Sequence, residues 1–282
     1  MPELPEVETI RRHLAPHVEG RTLERLEVLD SRFSRPLAPQ ELSDAVSGRR
    51  IERLNRRGKY LIWELEDDAY LLQHLRMTGT LLLDPEGTPP HTRAWFELGE
   101  HRLAYTDPRR FGTGELALGR EAFDEFFDAR LGVEPLGGDF TGDHLFALAR
   151  TSRAPIKAFL LDQRRVAGVG NIYADEALFR AQIHPLRPAN RITRAQAHAL
   201  RDAVIVSLEA GLAAKGASID DFRHPDGVQG AFQNEFLIHL REGEPCLVCG
   251  NAVRKLRAAG RGTYVCERCQ PRPRVRRPAT KV

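Results

Sequence analysis

Four cysteines, Cys246, Cys249, Cys266 and Cys269, stand as two C-x2-C pairs with sixteen residues between them. This is zinc-site spacing: each pair sets two thiolates on one side of an ion, and the returning pair closes a tetrahedral shell with no position left for water. An ion so held is structural, and its binding energy folds a segment too short to rest on an apolar core. Two disulfides are the other use of four cysteines, disfavoured in an intracellular setting. The stretch between the pairs, with Ala258-Ala259-Gly260-Arg261-Gly262-Thr263 at its middle, reads as a hairpin carrying Arg254, Lys255, Arg257 and Arg261. Its expected partner is a phosphate backbone.

A second kind of chemistry stands at the other end of the chain. Removal of Met1 before so small a residue as Pro2 exposes a secondary amine. Such an amine has a pKa near 8, against about 10.4 for lysine, so more of it is nucleophilic at neutral pH. Its attack on an aldehyde-level carbon gives an iminium that is necessarily cationic and acts as an electron sink. Glu3 sits beside it and can move protons, while Glu6 and Glu8 fall where the first turn of a helix favours negative charge. The same residues also fit a plain reading, a proline leader followed by helix-start acids.

Positioning these groups falls to a chain of 282 residues, 41% hydrophobic and 29% charged, enough for about two domains. No apolar run reaches membrane-span length, and MPELPEVET carries three glutamates where a signal peptide carries positive charge, so a soluble, cytoplasmic protein is expected. The net charge of +3 is unevenly placed. From Cys246 onward there are ten Lys/Arg against one acid, leaving residues 1–245 with 32 bases against 38 acids, as in a polyanion-binding module appended to a near-neutral body.

Val7, Ile10, Leu14 and Val18 recur at helical spacing. From Thr22 to about Leu118 the pattern is one of strands: Leu26/Val28, Leu61/Trp63/Leu65, Leu71 to Leu75, Leu81 to Leu83, Trp95 to Leu98 and Leu103 to Tyr105, a β-sandwich or barrel. Helical character returns near Phe123, the glycine-rich stretch 132–142 reads as a linker, and helices are expected at 143–150, 155–164, 171–181 and 193–214. The fold class is α+β: an N-terminal β-sandwich domain over 1–131, a helical domain over 132–240, a zinc hairpin over 241–270, and a basic tail over 271–282 expected to be disordered. No internal repeat is visible.

The string Pro2-Glu3-Leu4-Pro5-Glu6-Val7-Glu8-Thr9 closely resembles the start of the bacterial formamidopyrimidine-DNA glycosylases, repair enzymes for oxidised purines. The resemblance continues through Arg57 to Leu61, His74 to Gly79, Tyr105 to Gly112, Gly168 to Tyr173, Arg241 to Cys246 and the closing cysteine pair, in family order from residue 2 to about 270. It implies a bifunctional DNA glycosylase and lyase acting in base excision repair on damaged double-stranded DNA. The site residues it implies begin with Pro2, as the nucleophile at C1′ of the damaged nucleotide, and Glu3, as the acid that protonates the opening sugar and later moves protons. Glu6 supports them, Lys59 is the proton donor for β-elimination, and Arg261 serves δ-elimination.

An extruded base leaves a gap that must be filled. The resemblance gives that task to Met77, Arg109 and Phe111, with Arg109 facing the base opposite the lesion. It also implies a helix-two-turn-helix element whose second helix presents its start to a phosphate through Gly168, Gly170 and Asn171, a role that glycines and free N–H groups suit. Lys157, Arg153 and His91 are further candidate DNA contacts, and Ala217 to Gln229 corresponds to the loop that folds over the purine. One structural Zn2+, no organic cofactor, a monomer and association with the bacterial nucleoid complete the implied picture. The tail is a departure, with five bases and no acidic side chain beyond the usual end of the family.

Two other readings use some of the same residues. The related endonuclease VIII branch acts on oxidised pyrimidines, but its start usually carries glycine where this chain has Leu4. A zinc-dependent DNA-binding protein without catalysis needs only the finger, and leaves the Pro2-Glu3 arrangement without purpose.

Overall fold

In the computed structural model, residues 1–218, 225–226 and 230–273 are described. The chain divides into two compact units, the first formed by Met1–Glu134 with Leu208–Glu235, the second by Pro135–Ser207 with Phe236–Val282. The division is not a simple cut of the sequence, because the segment from Leu208 returns to the first unit. There the Leu83 N–H donates to the Pro225 carbonyl at 2.9 Å, one of the bonds that hold it.

The first unit opens on α1 (Leu4–Val18), whose Val7, Ile10, Leu14 and Val18 are fully buried on one face, as their spacing predicts. Two antiparallel sheets follow. One takes the order β1 (Thr22–Leu23), β3 (Arg49–Arg57), β4 (Tyr60–Leu65), β5 (Ala69–His74) and β9 (Thr113–Leu118). The other takes β2 (Arg25–Val28), β7 (Thr92–Leu98), β8 (His101–Thr106) and β6 (Thr80–Leu83). Trp63 of β4 stacks on Phe96 of β7 with ring centroids 4.9 Å apart, so side chains from both sheets share one core with the apolar face of α1. This is the expected sandwich. Two short helices, α2 (Pro39–Val46) and α3 (Arg120–Asp128), flank it.

The second unit carries α4 (Gly142–Arg150), α5 (Ile156–Leu161), α6 (Asn171–Arg180) and the first turns of α7 (Arg194–Ala213), within a few residues of the helices read from the sequence. It ends in a two-stranded hairpin, β10 (Arg254–Ala258) and β11 (Arg261–Val265). Ala259 and Gly260 form its two-residue turn, both at positive φ, 51° and 72°, the geometry whose twist matches a β-hairpin. Among the described residues no helix is long and apolar enough to cross a membrane. Of the tail, 274–282 lie outside the described residues, as do 219–224 and 227–229 of the segment matched to the purine-covering loop.

Candidate active site and metal centre

Pro2 is buried one residue before the N-cap of α1, and Pro5, which has no N–H to leave unpaired, occupies the first turn. Glu3 is the N-cap, in extended conformation, and its N–H donates to Glu6 Oε2 at 2.8 Å. The other oxygen of Glu6 accepts the Ala217 N–H at 2.8 Å. Glu3 and Glu6 are both 1% exposed, so these bonds form away from water. Gly216, at φ +82°, makes this approach possible: a Cβ there would lie 2.9 Å from Glu6 Cγ.

Lys59 sits in the two-residue turn between β3 and β4, preceded by Gly58 at φ +56°. An ionic chain ties this turn to α1. Arg56 donates from Nε to Glu8 Oε2 at 3.2 Å, and from Nη1 to Glu134 Oε2 at 3.1 Å and to the Gly58 carbonyl at 2.9 Å. The Glu134 carboxylate also accepts the Gly58 N–H in a very short bond. Burial pushes the Glu8 carboxyl up, but hydrogen bonds from Arg11 and Arg12 and the charges of Arg11 and Arg56 outweigh it and hold the group below the usual glutamate range. Lys59 itself is only 4% exposed. The first unit thus fixes Pro2, Glu3 and Glu6 at the start of α1 and couples the Lys59 turn to the same helix.

Met77 and the pair Arg109/Phe111 lie on two turns that one carboxylate joins. Asp107, buried, accepts the Thr78 hydroxyl and the Arg109 N–H on Oδ1, and the N–H groups of Phe111 and Gly112 on Oδ2, each of the last two at 2.8 Å. Arg110, itself exposed, forms a bidentate pair with Asp30, which lowers the Asp30 carboxyl. Its neighbours Arg109 and Phe111 are left exposed, with the guanidinium 5.7 Å from the ring centroid. Gly112 must be glycine, since a Cβ would fall 1.7 Å from the Tyr105 hydroxyl. His91, exposed, joins this group through its carbonyl, which accepts the Asp107 N–H at 3.0 Å.

His74 shapes the Met77 turn from below, its Nδ1 accepting the Arg76 N–H at 2.9 Å. Burial, then the positive charges of Arg76 and Lys59, push its pKa well below the usual histidine value, so it is neutral with the proton on Nε2. Asp107, Arg110 and Glu134 were not singled out from the sequence as site residues. Arg110 pairs with Asp30, Glu134 with Arg56 and Asp107 with Thr78, partners remote in the chain, and short motifs do not reveal such pairs.

In the second unit, Gln163 shapes the turn before α6: its amide donates to the carbonyls of Leu161 and Val169 and accepts the Gly168 N–H. Asn171, the first residue of α6, donates from Nδ2 to the Gly262 carbonyl at 3.2 Å. Lys157 is fully buried, which is not where a direct phosphate contact would stand. Its Nζ pairs with Asp175 Oδ1 at 2.7 Å and donates to Thr263 Oγ1 at 2.8 Å and to the Gly262 carbonyl at 3.2 Å. Lys157 and Asn171 are therefore brought together at the hairpin residue next to Arg261, which is exposed. Arg153 stands apart, exposed, beside an open depression shared with Pro188, Asn190 and Arg191.

The four cysteine sulfurs lie within 4.8 Å of one another, with Cys246–Cys269 at 3.8 Å and Cys249–Cys266 at 3.5 Å. A tetrahedron with Zn–S bonds of about 2.3 Å has edges of about 3.8 Å. The cluster fits one structural zinc, and these separations exclude disulfides. Burial and the three neighbouring thiols push the Cys269 thiol up, a crowd that a bound cation relieves. Gln270 fastens the finger to the helical part, accepting the Cys266 N–H and donating to the Ile183 carbonyl.

Comparison with known proteins finds three matching domain families along the chain. Residues 1–114 match the formamidopyrimidine-DNA glycosylase N-terminal domain, 131–223 the H2TH domain of the same enzymes, and 243–272 the zinc finger found in FPG and IleRS. The formamidopyrimidine-DNA glycosylase of Desulfitobacterium hafniense is 41% identical over 272 residues, spanning 96% of this chain and all of that one. Its counterpart in Thermus thermophilus is 44% identical over 277 residues, with 96% and 98% covered. The crystal structure of the MutM (Fpg) protein of Thermus thermophilus superposes with a TM-score of 0.88 over 97% of this chain and all of that one, at 42% identity. Lactococcus lactis Fpg in complex with DNA containing an abasic site gives 0.89 at 36% identity, covering 96% of this chain and all of that one. With 96% of its length covered by such relatives, the chain belongs to the formamidopyrimidine-DNA glycosylase family.

Proposed function

We propose that the protein removes oxidised purines, 8-oxoguanine and formamidopyrimidines, from duplex DNA and then cuts the strand at the abasic sugar. The observation that carries the residue assignment is the start of α1, where Pro2 and Glu3 are both buried and Glu6 holds the Glu3 N–H. With Met1 removed, the Pro2 nitrogen attacks C1′ and the bond to the base breaks with its electron pair on the departing base. The Pro2 N–H proton passes to the departing base anion, and Glu3 protonates the sugar oxygen as the ring opens, leaving a cationic iminium on Pro2. That cation acidifies the proton at C2′, which the Glu3 carboxylate takes as the C3′–O bond breaks with its electron pair on the departing 3′-oxygen, to which Lys59 is the proton donor. Loss of the proton at C4′ then breaks the C5′–O bond. The part of the Arg261 guanidinium in this last step is to take up the negative charge of the departing phosphate. Water finally releases Pro2.

Met77, Arg109 and Phe111 fill the space vacated by the extruded base, with Arg109 toward the opposite base. The joint anchoring of both turns by Asp107 supports that reading. Asn171, Arg153 and His91 are assigned to the DNA backbone, and Lys157 to the support of the hairpin. The zinc holds the finger, no organic cofactor is needed, and the protein acts as a monomer on the DNA of the bacterial nucleoid in the cytoplasm.

Borohydride trapping tests the assignment. On a duplex with 8-oxoguanine opposite cytosine, an adduct mapping to Pro2 is expected, with little on a thymine-glycol duplex. Pro2→Gly should keep DNA affinity and lose most of the capture rate. An adduct elsewhere would move the nucleophile, and capture mainly on thymine glycol would favour pyrimidine lesions.

A further inference from the structure

The second unit contains a buried polar chain that the reaction scheme above does not use. His239 Nδ1 lies 2.8 Å from Asp175 Oδ2, and the other oxygen of Asp175 carries Lys157 Nζ at 2.7 Å. Lys157 donates to Thr263 Oγ1 at 2.8 Å, and that hydroxyl donates its own proton to the Arg261 carbonyl at 3.1 Å. Lys157 and Asn171 also share the Gly262 carbonyl. The carbonyls of Arg261 and Gly262 are thus tied, through Thr263 or directly, to side chains of α5 and α6. Asp175, Lys157 and Thr263 are at most 1% exposed and His239 is 4% exposed.

Such a chain is a costly way to hold a turn. Removing an ammonium and a carboxylate from water is repaid only where geometry is good and the remaining valences are filled, as they are here. A zinc hairpin needs no ion pair from a neighbouring helix to keep its own register, which the metal and the β10–β11 ladder already set. What the chain adds is placement of one end of that hairpin, the end at which β11 begins with Arg261.

We propose that Asp175, His239 and Thr263 are positioning residues for Arg261, acting through Lys157 to fix the backbone from which its guanidinium reaches the departing 5′-phosphate, and so setting how often β-elimination proceeds to δ-elimination. This rests on the reading of Arg261 as the residue of the second elimination. None of the three touches DNA in this scheme; each acts through the next.

The test measures, on a duplex with one abasic site, the ratio of δ- to β-elimination ends together with the rate of borohydride capture at Pro2, in zinc-loaded full-length protein. Thr263→Val cuts the last link without unpairing the buried charges, and Thr263→Ser restores it. Thr263→Val should lower the ratio about fivefold, the scale of one buried hydrogen bond, while capture stays within about twofold of the parent. Thr263→Ser should return the ratio to the parent value, and Arg261→Ala should set its floor. If Arg261→Ala lowers the ratio and Thr263→Val does not, the positioning chain is wrong while the Arg261 reading stands. If Arg261→Ala leaves the ratio unchanged, that reading fails and takes the proposal with it. A ratio and capture rate that fall together, or a valine effect that serine does not reverse, also overturn it. If Thr263→Val fails to hold one zinc, His239→Gln applies the same criteria from the far end of the chain.

Discussion

Lys157 Nζ and Asn171 Nδ2 converge on a single acceptor, the carbonyl of Gly262, each at 3.2 Å. A lysine in a DNA-binding protein is expected to meet phosphate, and this one instead spends its charge inside the fold on Asp175. The two roles leave different marks. A phosphate contact contributes about 0.9 to the slope of log affinity against log salt. Lys157→Met should leave that slope unchanged while destabilising the protein by about 3–5 kcal/mol, because Asp175 is left buried without its main cation. Arg257→Ala, on the exposed face of the hairpin, should lower the slope by about 1 with little loss of stability. Equal slopes for Lys157→Met and Arg257→Ala would contradict the buried assignment.

Asp107 joins the turn of Met77 to the turn of Arg109 and Phe111 through four donors. Asp107→Ala leaves several of them unsatisfied at about 1–3 kcal/mol for each that stays buried, so a large drop in melting temperature is expected. Thr78→Val removes one donor and should cost about 1 kcal/mol. Fluorescence of 2-aminopurine placed opposite an abasic site reports the filling of the gap. Its change on binding should shrink in Thr78→Val even where affinity is kept.

Removal of zinc by a chelator should unfold the finger, release one metal per chain, and lower DNA affinity steeply, since Arg254, Lys255, Arg257 and Arg261 all lie on the metal-held hairpin. Atomic absorption and titration with fluorescent duplex would show it. Unchanged affinity after verified metal loss would remove the finger from the DNA-binding surface.

Stability should fall as pH drops below about 6.5, the usual histidine value. His74 is held neutral in the folded state, its pKa well below that value, so between the two the unfolded chain binds a proton that the folded chain refuses. The slope from one such group approaches about 1.4 kcal/mol per pH unit. His184, whose pKa is lowered by burial and by the charge of Arg272, acts in the same direction. His74→Gln, able to accept the Arg76 N–H, should flatten the urea-denaturation profile between pH 6.5 and about 5 by one group's share. An identical pH profile in the variant would show that His74 titrates normally.

Much of this architecture is legible without coordinates where a local rule operates. Val7, Ile10, Leu14 and Val18 announce α1 by spacing, and the alternation of Leu61, Trp63 and Leu65 announces β4, because burial on one face imposes those periods. Strand β3 escapes the same rule. Its buried residues Ile51 and Leu54 are three apart, since the register shifts between Ile51 and Arg53, and the rest of the strand is largely arginine. The metal site is fully legible because its four ligands sit in two short motifs. The fate of Lys157 is not, because Asp175, eighteen residues away, decides it. Nor is that of Arg110, whose partner Asp30 lies eighty residues off.

The burial of Pro2 beside Met1 has a consequence for the freshly made chain. While Met1 is attached, the proline nitrogen is an amide, its lone pair delocalised and useless for attack, yet the finger and the turns around Asp107 are already complete. On the role proposed above for Pro2, a chain that keeps its initiator residue is a decoy: able to occupy a lesion, unable to resolve it, and a competitor of its own processed siblings. Cells that make this protein faster than they trim it would shield damage from repair, and any recombinant form extended at the amino end should behave in the same way.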